Sequence, residues 1–215
     1  MRAFIIFGAL CLSLSAFSFA QEISQPTLVV GTLASSGGQV EVLLVVRVPA
    51  DRSLEVVDAR GPTGAQIMPA DWFPHDSGAA GILVAPGRVP AEAGEYVVSL
   101  AGDPPVSLSA SLAAGAPLEV PLLQRLEISA SSARIVWRAV DGAVEYSVTT
   151  VNHDSGAIEH SETLGGTDAT IPIPNAAHWS VIIRAYDFAF GDPHAWPANP
   201  RISELQVQAP IVPPG

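Results

Sequence analysis

Beyond the first twenty residues, apolar side chains do not recur at the three-and-four spacing of a helix. They come in short alternating runs of Val, Ile, Leu and Thr, broken by Gly, Pro, Asp and Asn. Alternation over a few residues places one face of an extended strand against a core, so the pattern predicts an all-β chain. In the first half the runs predict strands over Thr27–Leu33, Gln39–Arg47, Leu54–Asp58, Gly81–Ala85, Glu95–Leu100 and Val106–Leu112. The stretch VEVLLVVRV, residues 40–48, which makes up most of the second of these, is nearly continuous in its apolar residues and so predicts a central strand covered on both faces. In the second half the predicted strands are Leu126–Ser129, Arg134–Arg138, Glu145–Val151, Ala157–Glu162, Ala169–Ile173, Trp179–Asp187 and Ile202–Gln208. Between the two sets lies AAGAPLEVP, residues 113–121, small and punctuated by proline. It is read as the linker between two tandem β-sandwiches, residues 21–112 and 122–209, with 210–215 as a disordered tail.

Two stretches carry family resemblances. Ile135 and Trp137 alternate inward ahead of DGAVEYSVTTV, whose Tyr146 opens the next strand, and IPIPNAAHWSVIIRAYD leads into a run that alternates at Val181, Ile183 and Ala185. On these residues the second half resembles a fibronectin type III domain, with Trp137 as the core tryptophan of its second strand. Trp179 stands where that family carries a tyrosine, so the hydroxyl bond to the backbone is not available there. In the first half, EAGEYVV is similar to the Asp-x-Gly-x-Tyr-x-Cys signature of immunoglobulin-like domains. Glu92, Gly94 and Tyr96 are in place, and Val98 replaces the cysteine, so that resemblance implies a sandwich without the inter-sheet disulfide.

The chain opens MRAFIIFGALCLSLSAFSFAQE: one Arg, an apolar run, then Ser18 and Ala20 as the small residues ahead of a cut before Gln21. This is the pattern of a secretory signal peptide, residues 1–20, and places the mature chain in an exported compartment, periplasmic or at the cell surface. Cys11 lies inside the removed segment, with Leu10 before it where a lipoprotein site needs a small residue. The mature chain therefore has no thiol, and its cores alone must hold it. No later segment has the length of a membrane span. There is no lysine. Loss of Arg2 takes the formal charge from −11 to −12, which excludes the basic stripe that nucleic acid requires.

Candidate chemistry is sparse. No Gly-x-Ser-x-Gly, His-Glu-x-x-His or phosphate loop occurs, and without lysine or a mature cysteine there is no Schiff base and no thiol nucleophile. No enzyme, metal or cofactor is expected. His75, His153, His160, His178 and His194 are scattered, and Asn152, Asp154 and Gly156 read as a turn rather than a calcium loop. Two loops hold aromatics among Pro, Gly and Asp: PADWFPHDSG, with Trp72 and Phe73, and FAFGDPHAWPANP, with Phe188, Phe190, His194 and Trp196. Large rings in loops are either covered or used. As used, they make these six residues the candidate binding sites, Trp196 first. The expected function is a non-enzymatic binding or spacer module of a bacterial-type envelope with another envelope or extracellular protein as partner. The alternative is a carbohydrate-binding or hydrolytic accessory protein stacking a glycan on Trp72 or Trp196.

Overall fold

The computed structural model describes residues 25–47, 55–67, 73–74, 82–85, 89–129, 131–174, 176, 178–190 and 196–208; for 73–74 and 82–85 strand placement alone is described. All regular structure there is β. The first half contains β1 (Thr27–Ser35), β2 (Val40–Arg47), β3 (Val56–Arg60), β4 (Phe73–Pro74), β5 (Ile82–Ala85), β6 (Gly94–Leu100) and β7 (Val106–Leu112). The second contains β8 (Leu122–Ile128), β9 (Ser132–Arg138), β10 (Glu145–Asn152), β11 (Ile158–Leu164), β12 (Asp168–Pro172), β13 (Trp179–Tyr186) and β14 (Arg201–Gln208).

Strands β1-β2-β5-β4 face β3-β6-β7 in the first half. That is the four-on-three order of a constant-type immunoglobulin sandwich. In the second half β12-β9-β8 faces β11-β10-β13-β14, so the fourth strand joins the other sheet. Each sandwich has its own core, set by alternation. Val42, Leu44 and Val46 of β2 meet Tyr96, Val98 and Leu100 of β6 in the first. Ile135 and Trp137 of β9 meet Val181, Ile183 and Ala185 of β13 in the second. Trp137 is 1% exposed, and its ring meets the edge of Tyr146 at 5.6 Å and 62°. Tyr146 is held in turn, because its hydroxyl accepts the Val140 N–H at 2.8 Å. In the first sandwich the Tyr96 hydroxyl accepts the Glu92 N–H and donates to the Glu92 carbonyl, each at 3.0 Å. This is a tyrosine corner, a bond the sequence reading did not draw from EAGEYVV.

Several strand ends differ from the sequence pattern by about two residues, and two departures are larger. β8 begins four residues before the predicted Leu126. The register shifts between Leu123 and Arg125, and that bulge at Gln124 hides the alternation of the strand's first turn. Phe73, expected in a loop, lies in β4, a two-residue strand opposite Val84 of β5.

The two halves also share a sheet. β1 pairs in parallel with β14, from Thr32↔Arg201 to Ser35↔Glu204, and joins the four-stranded sheets into one of eight strands in the order β11-β10-β13-β14-β1-β2-β5-β4. Residues 113–121 carry no strand, yet they are not a bare tether. Leu118 is 2% exposed within the second core. The Ala116 and Glu119 carbonyls accept bonds from Arg201 Nη1 and Ser203 Oγ, at 3.4 and 2.6 Å.

Candidate functional site

The junction of the sandwiches is where the chain brings its unusual residues together. β2 alternates Val42, Leu44 and Val46 into the first core, which leaves Leu43 and Val45 on the opposite face beside Val29 of β1. An apolar outer face needs a cover. Tyr186, Phe188, Trp196 and Ile202 supply it, with Leu33 and Phe190 at the margin. The rings form a chain: Tyr186 to Phe190 at 4.6 Å, Tyr186 to Phe188 at 5.7 Å, Phe188 to Trp196 at 4.8 Å and Phe190 to Trp196 at 5.5 Å. Polar bonds fix their ends. Trp196 Nε1 donates to the Phe190 carbonyl at 3.3 Å, and Arg47 Nη2 donates to the Trp196 carbonyl at the same distance.

The expectation that Trp196 and Phe188 are exposed anchors is therefore corrected. Each is 6% exposed, packed on β1 and β2, because the outer face of those strands is too apolar to leave wet. Phe190 is half-buried in the same cluster. Trp72 and His194 lie outside the described residues, and for Phe73 only its place in β4 is described. Among the described residues the histidines do not converge. His178 Nδ1 pairs with Asp154 at 2.9 Å and His160 Nε2 lies 3.7 Å from Glu162. Among the described residues no group of three or more His, Cys, Asp or Glu could hold a metal ion.

Asn199 and Pro200 complete the junction, and the sequence reading passed over Asn199. The Asn199 carboxamide donates to the Val30 carbonyl at 2.9 Å and the Ser111 carbonyl at 2.8 Å, and accepts the Ala113 N–H at 3.2 Å. One side chain from the second half thus ties β1, the end of β7 and the start of the linker. Beside it the Pro200 carbonyl accepts the Thr32 N–H at 2.9 Å. The approach is so close that a Cβ on Gly31 would sit 2.1 Å from that carbonyl oxygen and 2.7 Å from Pro200 Cγ. Arg201 is anchored next along, its Nε donating to Asp187 at 2.7 Å and its N–H to the same carboxylate at 2.8 Å.

Asn199→Ala is expected to lower stability by roughly 2–4 kcal/mol, since it unpairs two carbonyls and an amide that are each part of the junction. Thermal unfolding checks the size. Faster proteolysis near Ala113 checks the place.

On the outer face of β13 and β14, Arg184 Nε donates to Glu204 at 2.7 Å, and the Tyr186 hydroxyl shares a hydrogen bond with Ser147 Oγ at 2.9 Å. Burial alone would lower the Arg184 guanidinium, but attraction to Glu204 and the Tyr186 oxygen outweighs it and the net direction is up. Burial pushes the Tyr186 phenol above its ordinary range, and Arg184 and Ser147 offset part of this. Burial also raises Tyr96. The sign follows directly. A phenol with a raised value stays protonated in the folded chain at a pH where the unfolded chain ionises. Its contribution is full below about pH 10 and is lost as pH rises through the folded value. The melting temperature should therefore fall above about pH 10, less steeply in Tyr186→Phe. An equal slope in that variant would remove Tyr186 from the effect.

No protein-family model matches the chain, and no curated protein does. Among solved structures it is similar to a cytokine receptor complex at 18% identity, covering 85% of this chain and 96% of that one, with a TM-score of 0.34. It is also similar to a two-domain fibronectin type III segment of chicken tenascin, at 16% identity, 86% and 98% coverage and a TM-score of 0.32. A third is the complex of Dpr11 IG1 with DIP-gamma IG+IG2, at 12% identity, 84% and 98% coverage and a TM-score of 0.27. The fold itself rests on the strand order: each half is a β-sandwich, the first in the four-on-three order of an immunoglobulin-like domain and the second with its fourth strand moved to the other sheet.

Proposed function

We propose that this chain is an exported, non-enzymatic spacer and binding module of a bacterial-type cell envelope, which holds two β-sandwiches in one fixed relation and offers their surfaces to another envelope protein. The observation that carries this reading is the parallel β1–β14 pair, covered on its outer side by the aromatic cluster and tied by Asn199. A strand shared between domains leaves no free hinge, and a rigid spacer transmits position at low entropic cost. The leader pattern ending at Ala20 supports export. Burial of Phe188 and Trp196 moves the binding role away from the rings themselves. They act by holding the junction.

The test is expression of the full chain in a bacterium with a C-terminal tag, recovery from the envelope fraction, intact mass and identification of what co-purifies after cross-linking. The expected result is a chain starting at Gln21, without lipid or thiol, carrying one specific envelope protein. A chain retained in the cytoplasm with Cys11 would contradict the export reading. Capture of a glycan in place of a protein would favour the accessory reading.

A further inference from the structure

Sheet edges invite pairing with other chains, and proteins guard them with bulges, charges and proline. Most edges here are guarded. β11 carries a bulge and turns His160 and Glu162 toward the half-buried side. β8 has the Gln124 bulge with Arg125 and Glu127 beyond it, β3 has a bulge before Asp58, β12 ends in Pro172, and β4 is two residues long. Among the described residues β7 itself, Val106–Leu112, carries no bulge, charge or proline, although Pro104 and Pro105 precede it and β1 runs beside it. β7 lies at the edge of β3-β6-β7 and pairs with β6 in unbroken register from Leu100↔Val106 to Gly94↔Leu112. Its sequence VSLSASL is uncharged. Val106, Leu108 and Ala110 are half-buried against the first core, and Ser107, Ser109 and Ser111 are exposed on the outer face.

The polarity of that edge is fixed by Asn199. Its carboxamide bonds the Ser111 carbonyl and the Ala113 N–H as a neighbouring strand's peptide group would. In an antiparallel ladder alternate residues turn both backbone groups to the same side. Ser107 and Ser109 therefore present their N–H and C=O along the free edge, in line with the groups Asn199 already occupies.

We infer that β7 is a homodimerisation edge, and that its partner is β7 of a second copy, antiparallel about a dyad through Leu108. In that register Ser107 of each copy exchanges N–H···O=C bonds with Ser109 of the other, which uses the free groups and leaves the Ser111 carbonyl to Asn199. Leu108 meets Leu108 of the second copy on the apolar side, and the exposed serines pair on the other. The contact is isologous and closes at two copies. No like charges oppose each other across it, whereas β11 and β8 would bring carboxylates or guanidinium groups to a second strand.

Sedimentation of the mature chain over a wide concentration range tests this directly. The wild type should shift from the mass of one copy to that of two. Ser109→Pro removes an edge N–H that the β6 ladder does not use, so it should stay monomeric with the wild-type fold. Ser109→Lys should weaken association by roughly tenfold or more, because the lysines of two copies meet at the edge. A wild type that is monomeric throughout overturns the inference, even if the edge then captures a different protein. So does wild-type association in Ser109→Lys, which decides the matter alone should Ser109→Pro not fold.

Discussion

Trp137→Ala is expected to lower the stability of the chain by about 3–5 kcal/mol, a large share of what holds a domain of this size. The ring is 1% exposed in the middle of the second core, edge-on to Tyr146. Truncation leaves a cavity lined by strands of both sheets, and a sheet cannot collapse inward without breaking its ladder. Tyr146 would also lose the contact that holds its hydroxyl against Val140 N. Denaturant titration checks the size. A variant that melts like the wild type would show that Trp137 belongs to a site, because only an exposed ring can be removed at so small a cost.

Gly31→Ala is expected to do comparable damage by another route. Here the loss is of fit, not of apolar area. The new Cβ would meet a backbone carbonyl, Pro200 O, at 2.1 Å, so no rotamer change can relieve it. The 196–200 segment must move off β1. The Thr32–Pro200 bond and the Asn199 bond to Val30 depend on the same approach. Loss of at least about 3 kcal/mol is expected. Because the clash lies between the sandwiches and touches neither core, calorimetry of Gly31→Ala should show separate transitions where the wild type shows one. Retention of a single wild-type transition would mean that the junction does not depend on this approach.

Much of the fold was legible in the chain because its causes are local. Alternation placed most strands, the aromatic spacing around Trp137 gave the second sandwich, and EAGEYVV gave the first, although the corner that Tyr96 makes was not read from it. The junction was half legible. β2 read as covered on both faces, and the 188–200 loop read as rich in rings that needed either burial or a use. Joining the two observations would have put Phe188 and Trp196 on Leu43 and Val45. What could not be read was the pairing of β1 with β14. Asn199 and Val30 lie 169 positions apart, and long-range register has no local signature. Gly31 looks like a weak point in a strand, and Asn199–Pro200 looks like a turn, until each is seen as the space and the filler of one contact. The linker has the composition of a tether, and Leu118 packs into a core while the linker's carbonyls accept bonds from β14.

The most direct measurement of a fixed junction is the distance between the two sandwiches in solution. A mature chain starting at Gln21 has no cysteine, so Glu95→Cys on β6 and Thr170→Cys on β12 place one spin label on each outer three-stranded sheet, at exposed positions. Pulsed dipolar spectroscopy of this doubly labelled chain should give one narrow distance distribution that broadens when Gly31→Ala is added. A broad distribution in the parent chain, unchanged by Gly31→Ala, would contradict the shared sheet and the rigid spacer built on it.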